Sequence, residues 1–178
     1  MPLRERLQAD YLSLQTFASI NPNHLELIYR APDLRRFAVR AQLPAPIASG
    51  GGFRIAGDHT LVIEIPDNYL HRDANGLYVK SRIRRQGEPV YHPNVWPADG
   101  YFCYDDQFHP AKSLAEQLWA ATELMQCRAV NHESPANWEA DFYYLKNGDA
   151  VRGRINPVPL RLQRGGVRVA SVSCPRLV

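Results

Sequence analysis

The stretch that decides how this chain is read is Tyr91-His92-Pro93-Asn94-Val95-Trp96-Pro97-Ala98-Asp99-Gly100-Tyr101-Phe102-Cys103-Tyr104-Asp105. It sits inside residues 86–111, where Pro, Gly, Asp, Asn and Tyr dominate and no hydrophobic period holds. An irregular segment of that length inside a compact domain is uncommon and usually functional. Pro93 fixes its own φ and pushes His92 toward extended backbone, so His92-Pro93-Asn94 is a stiff turn. An Asn side chain held there offers amide N–H donors. Nine residues on, Cys103 lies in a polar, aperiodic stretch. A thiol with a fixed amide donor is what acyl transfer through a thioester requires: a nucleophile, and a donor for the developing oxyanion. Each piece alone has a plainer reading, the cysteine as a packing residue and the His-Pro-Asn as an ordinary turn.

Upstream, Leu3, Leu7, Tyr11, Leu14 and Ala18 recur at helical spacing, and Asn21-Pro22 stops that helix. Four period-two stretches follow, centred on Leu25–Tyr29, Phe37–Leu43, Leu61–Ile65 and Leu77–Ile83, with turn residues between them. They predict an antiparallel meander with one wet face. Downstream, Leu114, Leu118, Ala121 and Met125 return to helical spacing. Ser134-Pro135 predicts the start of another helix, running to about Lys146 and ended by Asn147-Gly148. Leu160–Gln163 and Val167–Ala170 flank Arg164-Gly165-Gly166 and read as a β-hairpin. The order is helix, four-stranded meander, irregular loop, two helices, hairpin. Strands in one block and helices in another make an α+β fold with helices on one face of the sheet.

The 178 residues, 45% hydrophobic and 22% charged, fit a single globular domain with its own core. The net charge of +3 hides an asymmetry. Residues 150–178 hold six arginines and no acid, so the rest of the chain, with 15 basic and 18 acidic residues, is mildly acidic. We therefore divide the chain into a body, 1–149, and a basic extension, 150–178. No apolar run is long enough to span a membrane, and the N-terminus carries charges where a signal peptide is apolar. A cytoplasmic protein without a membrane partner is expected. Three cysteines do not build a disulfide framework. Cys127 reads as a packing residue. His92, Cys103, His109, Cys127 and His132 show no C-x-x-C or H-x₃-H spacing, so no metal site is expected.

Taken together, His92-Pro93-Asn94, Gly100-x-x-Cys103, Pro110, an amphipathic helix and Asn131-x-x-Ser134-Pro135-x-Asn137 resemble the core of ubiquitin-conjugating enzymes. Ile65-Pro66-Asp67-Asn68-Tyr69 is similar to that family's Phe-Pro-x-x-Tyr-Pro strand end. The resemblance covers about residues 3–146 and implies that family's fold. It also implies roles. Cys103 matches the thioester-forming cysteine. Asn94 matches the asparagine that supports the loop and is thought to stabilise the oxyanion. His92, with Pro93, matches the structural start of the loop. Asp105 matches an acidic position two past the cysteine. Ser134 matches the gate position opposite the cysteine, with Glu133 its acidic neighbour. The implied partners are a ubiquitin-like modifier, an activating enzyme and a target protein, with no bound cofactor, because the activating enzyme consumes the ATP.

The chain also departs from the pattern. Asn94 and Cys103 are one residue further apart than the family's spacing, Phe108 stands where a tryptophan is usual, and Tyr69-Leu70 replaces Tyr-Pro. These departures resemble the divergent conjugating enzymes of bacterial ubiquitin-like cassettes, some linked to antiviral defence. Two other readings are a non-catalytic module that binds ubiquitin-like proteins and a nucleic-acid adaptor acting through the basic tail. The presence of Cys103 disfavours the first. The second lacks aromatic residues interleaved with the tail arginines, so nucleic acid is not an expected partner.

Overall fold

The computed structural model describes residues 2–50, 52–105 and 108–163. Helix α1 (Leu3–Ser19) leads into β1 (Leu25–Arg30), β2 (Arg36–Ala41), β3 (Ala45–Ser49), β4 (Gly52–Ala56), β5 (His59–Glu64) and β6 (Arg82–Arg85). Helices α2 (Leu114–Met125) and α3 (Trp138–Gly153) follow. The expected meander is present as a four-stranded antiparallel sheet in the order β1-β2-β5-β6. Phe37, Ile63 and Ile83 lie side by side across β2, β5 and β6, all fully buried. Phe37 and Ile83 alternate with exposed or half-buried neighbours, which is the period-two signal, whereas Ile63 has the buried Val62 beside it, and residues of α1 and α2 pack into the same core. Leu14, Phe17, Leu114, Leu118 and Met125 join it in one core. The arrangement is the expected α+β architecture.

Three expected boundaries are corrected. First, β3 and β4 form a two-stranded hairpin inserted between β2 and β5, where only turn residues were expected. Ala45, Pro46 and Ile47 are all buried, so the strand shows no alternation, and Pro46 masks it further. Second, the fourth meander strand begins at Arg82, not Leu77. The turn at Asp73–Gly76 folds the following residues back onto their own upstream neighbours: Val79 N–H donates to His71 O, and Leu70 N–H donates to Val79 O, both at 2.8 Å. Third, α3 does not start at Ser134-Pro135. Ala136 and Asn137 both donate their N–H to Pro93 O, at 2.8 and 2.9 Å, and keep the chain non-helical until Asn137 caps Ala140 N. At Asn147 the helix kinks instead of ending.

By contrast, α2 starts as its sequence requires, with a reciprocal capping box between Ser113 and Glu116. Helix α3 runs past residue 149, and Val151, Ile155 and Leu160 beyond it are buried. The Asn21 side chain grips Arg161 by two hydrogen bonds of 2.8 Å. The expected hairpin falls largely outside the described residues, and Leu160–Gln163 carry no strand.

Candidate active site

The His92-Pro93-Asn94 turn is held from every side. Tyr91 N–H donates to Pro46 O at 2.8 Å, tying the loop to β3. His92 is fully buried, and its Nδ1 accepts the Asn94 N–H at 3.0 Å. Burial drives its pKa down to about 3, with the Ala129 carbonyl opposing and His132 reinforcing the shift. His92 is therefore a neutral ring with Nε2 protonated, a brace and not a proton carrier. The edge of its ring meets Tyr144 of α3, whose hydroxyl donates to Tyr91 O at 2.8 Å. The Tyr144 hydroxyl also lies 3.1 Å from Cys127 Sγ. Cys127 is buried, and its thiol is pushed up to about 11, mainly by burial. It is the packing residue its sequence context suggests.

The nine-residue step from Asn94 to Cys103 is taken up by a tight excursion. Val95 bridges Phe102, Trp96 N–H donates to Tyr101 O at 2.9 Å, and Gly100 turns the chain with φ +74. The returning chain brings Cys103 back beside Asn94, so that Cys103 N–H donates to Asn94 O at 2.8 Å. Cys103 is half-buried, between the buried Phe102 and Tyr104.

Asn94 itself is buried, and its side chain faces the residue 131 segment. Its Oδ1 accepts from Asn131 N–H at 2.7 Å, and its Nδ2 donates to Asn131 O at 2.8 Å. Asn131 Oδ1 in turn accepts from Glu133 N–H at 2.9 Å. With the two bonds to Pro93 O, residues 131–137 are fastened to the turn at three points. Glu133 and Ser134 stand exposed on this fastened segment. The structure thus joins Cys103, Asn94 and the segment bearing Glu133 and Ser134 in one hydrogen-bonded unit.

Asp105 belongs to a different local set. It turns the chain with φ +57, and its carboxylate pairs with Lys112 Nζ at 2.5 Å. Lys80 Nζ donates to the carbonyls of Tyr104 and, at 3.0 Å, of Asp105. Sequence reasoning missed both lysines. Two of the chain's three lysines converging just after the cysteine is visible only once the fold is known. It also gave Asn131 no role beyond its place in a motif. His132, named above only for lacking metal-ligand spacing, pairs through Nδ1 with the buried Asp141 at 2.6 Å and ties the same segment to α3. Among the described residues no group of three His, Cys, Asp or Glu side chains is placed to hold a metal.

Chemically, a half-buried thiol stands on a hydrogen-bonded loop whose Asn94 also holds the segment that carries the exposed Glu133 and Ser134. Solved structures with the same fold include one described as a novel ubiquitin-conjugating enzyme (TM-score 0.52, 18% identity, covering 85% of this chain and 96% of that one). A putative ubiquitin-conjugating enzyme from Plasmodium yoelii gives a TM-score of 0.56 at 17% identity, over 84% of this chain and 90% of that one. The conjugating-enzyme domain of a Toxoplasma gondii protein gives 0.51 at 17% identity, over 82% and 92%. The chain therefore has the ubiquitin-conjugating-enzyme fold. No protein-family profile and no curated protein matches its sequence. No helix among the described residues is long and apolar enough to cross a membrane.

Proposed function

We propose that this protein is a conjugating enzyme for a ubiquitin-like modifier, with Cys103 as the acyl carrier. The observation that carries the reading is the double tie at Asn94: its backbone oxygen takes the Cys103 N–H, and its side chain clamps Asn131. A loop so fixed presents a thiol in one orientation to two successive carbonyl reactions. In the first, the Cys103 thiolate attacks the modifier's C-terminal thioester on an activating enzyme and expels that enzyme's thiolate. In the second, an amine of a target attacks the Cys103 thioester, an amide forms, and the Cys103 thiolate leaves.

Glu133 and Ser134 receive and orient the incoming amine, with the carboxylate as the acceptor for its proton. Asp105, paired with Lys112, shapes the other side of the approach. Asn94 acts first as a brace. Its Nδ2 carries a second hydrogen besides the one given to Asn131, and an oxyanion role would use that hydrogen. The partners that follow are the modifier, an activating enzyme and target proteins. The bacterial-cassette assignment extends this reading on the strength of the sequence departures.

The test is direct. Ubiquitin, a ubiquitin-activating enzyme and ATP are mixed with the protein and run on a non-reducing gel. An adduct removed by a thiol reductant, kept in Cys127→Ala and Cys174→Ala and lost in Cys103→Ala, supports the assignment. An adduct that persists without Cys103 overturns it.

A further inference from the structure

Beneath the segment that follows Cys103 runs a buried polar chain that the chemistry above does not use. It begins in α1, where Arg6 Nε donates to Asp10 Oδ2 at 2.8 Å. Asp10 Oδ2 also accepts from the Tyr69 hydroxyl at 3.0 Å, and Asp10 Oδ1 accepts from Leu114 N–H, at the start of α2, at 3.0 Å. Gln117 Nε2 donates to the Tyr69 oxygen at 3.0 Å. Gln117 Oε1 accepts from Ser81 N–H at 3.0 Å and from the Ser81 hydroxyl at 2.9 Å. The Tyr104 hydroxyl closes the chain, donating to Ser81 O at 2.6 Å. Asp10, Tyr69, Ser81, Tyr104 and Gln117 are each only 1% exposed, and Arg6 is 7% exposed.

Both ends of this chain terminate on the same stretch of backbone. One end is Tyr104, the residue after Cys103. The other is Arg6, whose guanidinium donates to the carbonyls of Pro110 and, at 2.5 Å, of Lys112. Lys112 in turn holds Asp105. The segment from 104 to 112 is therefore fastened near both ends by one network rooted in α1.

A buried ionic and polar network of this size is a poor way to gain stability, since apolar residues of similar volume serve as well or better. What it does supply is a single arrangement, because each partner is satisfied only in that geometry. We propose that Arg6 and Tyr104 are positioning residues for Cys103, holding the post-cysteine segment so that the thiol and its thioester face the incoming carbonyl and amine. The inference rests on Cys103 being the acyl carrier.

Arg6→Gln, Arg6→Lys and Tyr104→Phe are compared with Leu14→Ala, a core truncation in the same helix that makes no bond to the network. All are made in a Cys174→Ala background. Cys127 is buried with a raised thiol pKa, so iodoacetamide reports on Cys103. Melting curves fix a temperature at which every variant is folded. Two rates are then read: alkylation by iodoacetamide, and single-turnover discharge of Cys103-linked ubiquitin over a range of free lysine concentrations.

Arg6→Gln and Tyr104→Phe are expected to lower the maximal discharge rate by up to about 10²-fold, the scale of a misplacement of about 1 Å. They are also expected to change the alkylation rate, with Arg6→Lys recovering part of the loss. Leu14→Ala is expected to leave both rates as in the parent. Discharge and alkylation in Arg6→Gln and Tyr104→Phe that match Leu14→Ala overturn the proposal. If the parent protein itself never loads, the conjugating reading fails, and the alkylation comparison still decides whether the network positions Cys103.

Discussion

Replacing Asn94 by alanine removes a pair of side-chain hydrogen bonds and leaves the backbone bond from Cys103 intact. The two lost bonds, at 2.7 and 2.8 Å, satisfy the N–H and C=O of Asn131, which is itself half-buried. A net hydrogen bond contributes about 1 kcal/mol, and a buried partner left unsatisfied costs about 1–3 kcal/mol. Asn94→Ala should therefore cost about 2–4 kcal/mol. At about 2–4 °C per kcal/mol for a chain of this size, the melting temperature should fall by roughly 5–15 °C. Asn94→Asp keeps an acceptor for Asn131 N–H but sets a carboxylate against the Asn131 carbonyl. Burial there raises the new carboxyl's pKa above the usual ~3.9, so the folded state binds the proton more tightly than the unfolded state does. The deficit of Asn94→Asp relative to the parent should accordingly grow as pH rises from 4 to 8. Melts by circular dichroism, run beside single-turnover discharge to free lysine, separate the two roles. Bracing gives a lower melting temperature with a slower discharge, whereas a purely oxyanion role slows discharge alone. An Asn94→Ala variant that melts with the parent would refute the bracing argument.

His92 gives a stability signal in acid. Its folded pKa of about 3 lies below the unfolded value of 6.5, so stability present above pH 6.5 is lost as pH falls toward 3. Between pH 7 and 5 the loss should be about 2 kcal/mol, read by denaturant titration, and His92→Phe should flatten that slope even though His59 shifts in the same direction. A slope unchanged by His92→Phe would count against a neutral buried ring. Truncation separates tail from body: removing residues 150–178 exposes the contacts of Val151, Ile155 and Leu160, each buried side chain contributing about 1.5–3 kcal/mol, and should unfold the domain. Removing only residues 164–178 keeps Val151, Ile155 and Leu160, so the domain should still fold. If the tail arginines steer the activating enzyme, that shorter truncation should slow loading more at low salt than at high salt; equal slowing at both would remove the electrostatic role.

The meander and the two flanking helices were legible because their apolar residues repeat at two and at about three and a half positions, and turn residues separate them. The closeness of Asn94 and Cys103 along the loop was legible because Pro93 fixes the turn and a thiol follows it, but not that the Asn94 side chain is bonded to Asn131. What was hidden depends on contacts between distant residues. Pro46 disguised β3, and the fastening of Ala136 and Asn137 to Pro93 O delayed α3. Arg6 and Asp10 look like an ordinary surface ion pair four residues apart on α1. Only the packing of α2 and the post-cysteine segment over them turns that pair into the root of a buried network. The same holds for Lys80 and Lys112, ordinary surface lysines in sequence and backbone and carboxylate ties in the fold.

The most direct measurement is a pulse-chase on Cys103. The protein is loaded with ubiquitin by a ubiquitin-activating enzyme, ATP is removed, and free lysine is added at increasing concentrations. Acyl transfer through Cys103 requires the thioester to decay at a rate that rises with lysine, with a matching lysine–ubiquitin amide and the free thiol regenerated. A thioester whose decay is independent of lysine, with only hydrolysed ubiquitin released, would contradict transfer to an amine.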